Sequence, residues 1–266
     1  LPKIDKQRLA KGAELFSQYC ASCHGQINRT DPDRRVVAKM ISVSSVGTDS
    51  KMAANSIDFT GYSGILLNQY VSVSTGNILL QSQAPAVALL TSATRNVVTT
   101  PDRDKWFIRR WVERSFDSAY TFFENEVQSS LKNGNYAPDT TAKPFASVMA
   151  YKARPLNGIW ATAPYLHNGS VPTLYDLLLP KRQAGDPIEG EYRPDEFMVG
   201  SREFDVEKVG LKSAGYDGFL FRTNIWGNNN SGHEYASGRT PQPDGTLLPA
   251  LTKEQRMDLL EYLKSL

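Results

Sequence analysis

The pentapeptide Cys20-Ala21-Ser22-Cys23-His24 decides how this chain is interpreted, because it holds both cysteines and one of the three histidines. A zinc site needs about four ligands, and only His167 and His233 could complete one, at an unusual spacing. A redox dithiol needs no histidine after its second cysteine and usually lies in a βαβ unit, which the flanking sequence lacks. The pattern therefore predicts one covalently bound haem c (iron), since the chain holds no second copy of it.

The spacing within this motif has a chemical reason. Each cysteine thiol adds across one haem vinyl group, and two intervening residues let Cys20 and Cys23 reach both vinyls from one turn of chain. His24 then binds the iron, and we expect a backbone carbonyl to hold its other ring nitrogen. Such attachment is made outside the cytoplasm, which predicts a periplasmic or extracellular protein. Leu1-Pro2-Lys3 shows no signal peptide, so we expect a mature protein or a module of a longer multidomain chain.

The two ends of the chain predict helices that cross. Asp5 is a candidate N-cap for an amphipathic helix that leads into the haem motif, and Thr252 begins a capping-box sequence. Gly12 and Phe16 precede Cys20 at four-residue spacing, and the final helix, within 252–266, carries Tyr262. This pattern resembles class I cytochromes c, in which the first and last helices cross at a glycine. The expected fold is mainly α: a single cytochrome c-type helical haem domain over residues 1–266 with long loop insertions.

The middle of the chain predicts fewer elements. Residues 25–100 are polar, with helical pieces such as Ser63–Gln69, and Pro101 suits the first position of a stronger helix. A buried stripe is expected on that helix, formed by Ile108, Trp111, Val112, Phe116 and Ala119. Residues 180–250 are expected to be mostly loop, and wrapping the edge of a haem would give them a packing partner.

A longer motif at residues 151–179 carries a family resemblance. Its sequence KARPLNGIWATAPYLHNGSVPTLYDLL (152–178) resembles the C-terminal haem domain of the bacterial dihaem cytochrome c peroxidase superfamily, closest to the rubber oxygenase (RoxA-type) branch. The similarity extends through Thr48–Ala54, Phe197–Gly200, Glu203-Phe204-Asp205 and Asn230–Tyr235. Those enzymes carry two haems, whereas this chain can attach one. The resemblance therefore implies the electron-transferring half, without the half that binds peroxide or dioxygen.

The sixth iron ligand separates an electron carrier from an oxygen-binding enzyme. The resemblance implies that His233, in a distal loop at residues 222–250, is the second axial ligand of a bis-histidine haem. His167 is implied to lie in the haem surround, and its alternative is a buried structural histidine. Met198 and Met149 are further candidate ligands, or core residues.

Two further side chains of the motif are candidate haem contacts. Arg154 could pair with a haem propionate or form a surface salt bridge, and Trp160 could lie beside the haem or pack in the core.

Composition excludes other functions. The 30 basic and 28 acidic residues give a net charge of +2, which removes the electrostatic reason to expect nucleic acid or an anionic membrane as partner. No apolar stretch is long enough for a spanning segment, and nucleotide-binding and hydrolase motifs are absent. We expect an electron carrier for an unknown redox partner protein, with no catalytic residue. The alternatives are a peroxidase or oxygenase with His167 as distal acid–base group, or a relay module of a larger redox enzyme.

Overall fold

Helices from the two ends of the chain pack together in the computed structural model, which describes residues 4–25, 27, 30, 37–73, 76–99, 104–124, 131–134 and 149–266. The helices in these ranges are α1 (Lys6–Tyr19), α2 (Val43–Val46), α3 (Lys51–Asp58), α4 (Ala86–Thr99), α5 (Phe107–Glu124), α6 (Leu174–Leu177) and α7 (Lys253–Leu263). The strands are β1 (Val37–Ser42), β2 (Thr60–Tyr62), β3 (Tyr70–Val73), β4 (Gly76–Leu79), β5 (Gln83–Pro85), β6 (Leu131–Gly134), β7 (Ala150–Ala153), β8 (Glu196–Val199), β9 (Phe204–Asp205), β10 (Gly210–Leu211) and β11 (Phe219–Arg222).

The strands form small sheets rather than one large one. In the described ranges, β1 lies between β6, which is parallel to it, and β7, which is antiparallel, with Ile41 opposite Tyr151. The other strands form the antiparallel pairs β2–β5, β3–β4, β8–β11 and β9–β10. The β1–β7 pair matters most for the site, because it brings the start of the 151–179 motif beside the residues that follow the haem motif.

The expected mainly α fold is wrong. Helices make up 33% of the chain and strands 17%. Strands β8 to β11 lie in residues 180–250, which were expected to be mostly loop, and β1 to β5 lie in residues 25–100, where only helical pieces were expected. Runs of two to six residues are long enough for a hairpin strand but too short to show a clear periodicity. Within Ser63–Gln69 only a 3₁₀ turn forms, at Gly64–Leu66.

The predicted crossing of the first and last helices is confirmed. The Asp5 side chain accepts from the backbone of Gln7 and Arg8 at the start of α1, and Thr252 forms the full capping box of α7. A Cβ added at Gly12 would lie 2.0 Å from the Asp258 carbonyl oxygen, so the two backbones meet where glycine permits it. The crossing places the end of α1, and with it the haem motif, against α7.

The main core lies around this crossing and joins it to the 151–179 motif. Its buried side chains include Phe16, whose ring lies 5.1 Å from that of Tyr262, and Tyr165 and Leu174 from the motif. The remaining members are Tyr19, Val171, Tyr175, Leu178, Leu179, Val209, Ala236, Leu251, Leu259, Leu260 and Leu263. Apolar burial on this scale fixes the end of α1 relative to the motif, which the site requires.

The buried stripe expected on α5 is wrong. Trp111 is 70% exposed and Phe116 is 72% exposed, and Ile108, Val112 and Ala119 are exposed as well. An amphipathic pattern shows that one helix face is apolar but not which element covers that face. Helix α5 begins at Phe107, and Pro101 lies outside the described residues. None of the helices in the described ranges combines the length and hydropathy of a membrane span.

Candidate haem site

The haem motif forms a single helical turn at the end of α1. The Cys20 N–H donates to the Phe16 carbonyl, and the Cys20 carbonyl accepts from the N–H groups of Cys23, at 3.1 Å, and His24, at 2.8 Å. Positions three and four apart lie on one side of such a turn. Both thiols are free, and the side chains of Cys20, Cys23 and His24 line the same cavity.

His24 is held in one tautomer by a backbone carbonyl, as expected from the sequence. Its Nδ1 lies 2.7 Å from the carbonyl oxygen of Arg154. Only an N–H can donate to a carbonyl, so the neutral ring carries its proton on Nδ1 and keeps the Nε2 lone pair for a metal. Burial lowers the pKa of His24, and the carbonyl partly opposes that shift. The residue that orients His24 is therefore Arg154, through its backbone, while the Arg154 side chain is exposed.

The cavity has a volume of about 300 Å³ and mostly apolar walls. Strand β1, helix α7 and the 151–179 motif all contribute to it. Besides the haem motif, its lining includes Ile41, Val46, Leu156, Leu166, Leu259 and Leu263. A concave apolar site with a few polar groups is the form that a bound cofactor needs.

His233 faces His24 across this cavity. The two ring centroids lie 6.1 Å apart, with 64° between the ring planes. Two metal–nitrogen bonds of about 2 Å, and about 1 Å from each nitrogen to its ring centre, predict a separation of about 6 Å. The residues present therefore fit one iron between two imidazoles.

The electrostatics of His233 agree with this fit. Burial is the main reason that the pKa of His233 falls to about 3, and nearby His24 and Arg193 lower it further. The ring is therefore neutral, as a metal ligand must be. In the described part of the chain its Nδ1 is buried without a hydrogen-bond partner, which leaves the bonding capacity of the ring partly unused.

The 151–179 motif supports the distal loop (residues 222–250) that carries His233. The Asn168 side chain donates to the carbonyls of Gly227, at 3.1 Å, and Asn229, at 3.0 Å. Ser170 Oγ donates to the same Asn229 carbonyl, and Lys181 Nζ donates to the Asn229 side chain at 2.9 Å. These bonds hold residues 227–229 of the loop against the motif and Lys181.

His167 lines the same cavity but has a different setting. Its ring stacks on that of Tyr151, with 4.0 Å between centroids and 18° between planes. The Tyr151 hydroxyl donates to the Asp49 carbonyl at 2.9 Å, which fixes the stack. Burial lowers the pKa of His167, and its buried Nε2 has no hydrogen-bond partner among the described residues. His167 is therefore held beside the cavity by Tyr151.

The other candidates from the sequence lie away from the cavity. Trp160 is half-buried and packs against the main core, and it is not among the cavity-lining residues. Met198 is on β8, and its N–H donates to the Ser213 carbonyl; Met149 precedes β7, and its carbonyl accepts from Val43. Neither methionine lines the cavity. Sequence reasoning missed Tyr151, although it begins the motif, and Arg193, for which no sequence signal existed.

Comparison with known proteins identifies the motif region. Residues 150–184 match the family model "RoxA-like, cytochrome c-like". This match supports a cytochrome c-like domain of the RoxA branch in this chain, and such a domain implies haem binding. It is also 31% identical to the uncharacterized protein y4iJ of Sinorhizobium fredii over 278 aligned residues, 99% of this chain and 39% of that protein. A second protein of that bacterium, the uncharacterized protein y4iM, is 46% identical over 70 residues, 26% of this chain and 14% of its own length. The chain thus spans well under half the length of these relatives.

Proposed function

We propose that this chain is an extracytoplasmic cytochrome domain that transfers electrons through a single covalently bound haem with His24 and His233 as axial ligands. The observation that carries the proposal is the 6.1 Å separation of the two imidazole rings across an apolar cavity lined by Cys20 and Cys23. The matched cytochrome c-like domain supports haem as the group concerned.

Different residues of the chain would attach this haem and bind its iron. Cys20 and Cys23 would attach it by adding each thiol across one vinyl group, which leaves two thioether bonds. His24 and His233 would supply the two axial nitrogens, and the Arg154 carbonyl keeps the proton of His24 away from the iron side. When bound, the haem supplies one-electron chemistry between ferric and ferrous iron, and two imidazoles favour a lower potential than a histidine–methionine pair.

Electron transfer is favoured over catalysis because both axial positions would be filled by the protein. A closed iron leaves no position for peroxide or dioxygen. Haem attachment outside the cytoplasm supports the proposed periplasmic or extracellular location, and the electron partner is proposed to be another redox protein. Since this chain aligns with 39% of y4iJ, the same chemistry would also suit a relay module within a longer redox protein.

A second candidate function is a haem peroxidase or oxygenase of the dihaem peroxidase superfamily. The specific observation in its favour is His167, whose unpartnered Nε2 is buried in the wall of the same cavity. If His233 left the iron, His167 would be a neutral base beside an open position. The two functions differ in one measurable property, the ligation of the iron at rest.

The experiment compares visible spectra of the ferric and ferrous haem protein, with and without carbon monoxide, for the wild type, His233→Gly and His167→Gly. We expect a low-spin wild type, a high-spin His233→Gly that binds carbon monoxide, and a low-spin His167→Gly as matched control. After acid–acetone extraction, the intact mass of the protein should still include the haem. A wild type that is high-spin and binds carbon monoxide readily, or haem lost to the organic phase, contradicts the proposal.

A further inference from the structure

Arg193 is a buried cation whose hydrogen bonds go mainly to the backbone around His233. Its side chain is among the largest fully buried ones, with the residue 2% exposed. Nη1 donates to the carbonyls of Asn230, at 2.6 Å, and Gly232, at 2.8 Å. Nη2 donates to the carbonyl of Leu177, at 2.9 Å, and to that of His233, at 3.3 Å.

Arg193 is a costly residue to bury at this position. Within the described residues Arg193 forms no ion pair, and its Nε has no hydrogen-bond partner. The buried carboxyl groups of Glu234 and Asp176 favour the charged form of Arg193, but burying a cation without a direct ion pair is still costly, and an apolar residue could fill the space at lower cost. The guanidinium differs from an apolar side chain in one useful respect: its planar fork can hold several carbonyls at once.

The backbone at His233 needs such a restraint. His233 has φ of 53°, a left-handed conformation that is unfavourable for a residue other than glycine. The His233 N–H donates to the Val46 carbonyl at 2.8 Å. A Cβ added at Gly232 would lie 2.2 Å from the carbonyl carbon of Gly47, so the loop is also in backbone contact there. The segment is therefore held between the Val46–Gly47 backbone and the guanidinium of Arg193.

We infer that Arg193 is a positioning residue that keeps His233 in the ligand conformation, an inference that rests on the proposed bis-histidine ligation. Without the guanidinium, the carbonyls of Asn230, Gly232 and His233 lose their common donor. The strained backbone can then relax, and the His233 ring moves away from the iron. Arg193 would thus determine how completely the sixth position is closed, although it does not line the cavity.

The test uses the haem-loaded protein and three variants. Arg193→Gln removes the charge and the fork, and Arg193→Lys keeps the charge with a single donor nitrogen. Arg256→Gln is the matched control. Arg256 lies on α7, is also poorly exposed, and donates to the backbone carbonyl of Leu251, which lies outside the distal loop. The readouts are the high-spin fraction of the ferric spectrum, the affinity of the ferrous protein for carbon monoxide, and the response to added imidazole.

We expect Arg193→Gln to raise the high-spin fraction and to increase the carbon monoxide affinity by about tenfold or more, which corresponds to about 1.4 kcal/mol. Added imidazole should restore its low-spin spectrum, Arg193→Lys should fall between it and the wild type, and Arg256→Gln should stay low-spin even if its melting temperature falls. A folded Arg193→Gln with the spectrum and affinity of the wild type overturns the inference. If Arg193→Gln does not fold, Arg193→Lys decides by the same two readouts.

His233→Gly separates failure of this inference from failure of the proposed function. If His233→Gly becomes high-spin while both Arg193 variants keep the wild-type affinity for carbon monoxide, the ligand assignment holds and the positioning role is wrong. If His233→Gly stays low-spin, the ligand assignment itself is wrong, and the role of Arg193 is overturned with it.

Discussion

The crossing of α1 and α7 makes a sharp prediction at Gly12. In Gly12→Leu the new Cβ would start 2.0 Å from the Asp258 carbonyl oxygen and 2.8 Å from the Tyr262 Cβ, whereas an ordinary contact is 3.4 Å or more. Because the nearest atom is backbone, rotation of a side chain cannot relieve the clash, and the helices must move apart. Overpacking of this kind costs about 1–3 kcal/mol, and replacing a helical glycine returns up to about 1 kcal/mol.

A net loss of about 2 kcal/mol lowers the melting temperature of a domain of this size by about 4–8 °C. The assay is thermal unfolding of the haem protein, followed by far-UV circular dichroism and by the Soret band. Ala10→Leu is the matched control, because position 10 lies on the exposed face of α1 and the added side chain meets solvent. The same melting temperature and the same haem spectrum for both variants would refute the argument that the crossing supports the haem pocket.

Two further predictions use denaturant unfolding of paired variants. Asn168→Ala should lower the free energy of unfolding by about 1–3 kcal/mol, because two carbonyls of the distal loop lose their donor. The control Asn224→Ala, at an exposed position, should change this free energy by less than about 0.5 kcal/mol. Equal losses would show that the motif does not support the loop. Phe16→Ala should lower the free energy of unfolding by about 3–5 kcal/mol, because Phe16 is 1% exposed. Phe116→Ala, at an exposed position, should change it by less than about 0.5 kcal/mol. A large loss for Phe116→Ala would mean that this face of α5 is covered.

Structural features that depend on local sequence were predicted well. The cap at Asp5, the capping box at Thr252 and the close approach at Gly12 all depend on a few neighbouring residues and a known backbone geometry. A backbone carbonyl could be expected as the type of partner for His24, but its identity as Arg154 could not, because it depends on how the preceding residues 150–153 pair with β1.

Features that depend on long-range packing were not predictable in the same way. The apolar pattern around Trp111 and Phe116 is real, yet these side chains are exposed, since periodicity does not specify what covers a helix face. The short strands were not predicted, because segments of two to six residues in a polar sequence show no clear periodicity. Arg193 had no signal at all, because its role depends on carbonyls near residue 232 that only the folded loop brings to it.

The three histidines of the chain differ in the contacts that orient their rings, and this difference is the physical basis for the proposed ligation. His24 is oriented by a hydrogen bond from Nδ1, which leaves its opposite nitrogen for a metal. His167 is fixed by stacking on Tyr151 and is therefore tied to β7. His233 has no hydrogen bond at Nδ1 and no stacked partner, and its ring meets that of Tyr235 only edge-on, at 5.3 Å. The protein controls it mainly through the backbone, because the His233 N–H donates to the Val46 carbonyl and the His233 carbonyl accepts from Arg193. A histidine ring without a hydrogen bond or a stacked partner gains a further restraint when it binds a metal, so haem binding and the order of the distal loop should stabilise each other.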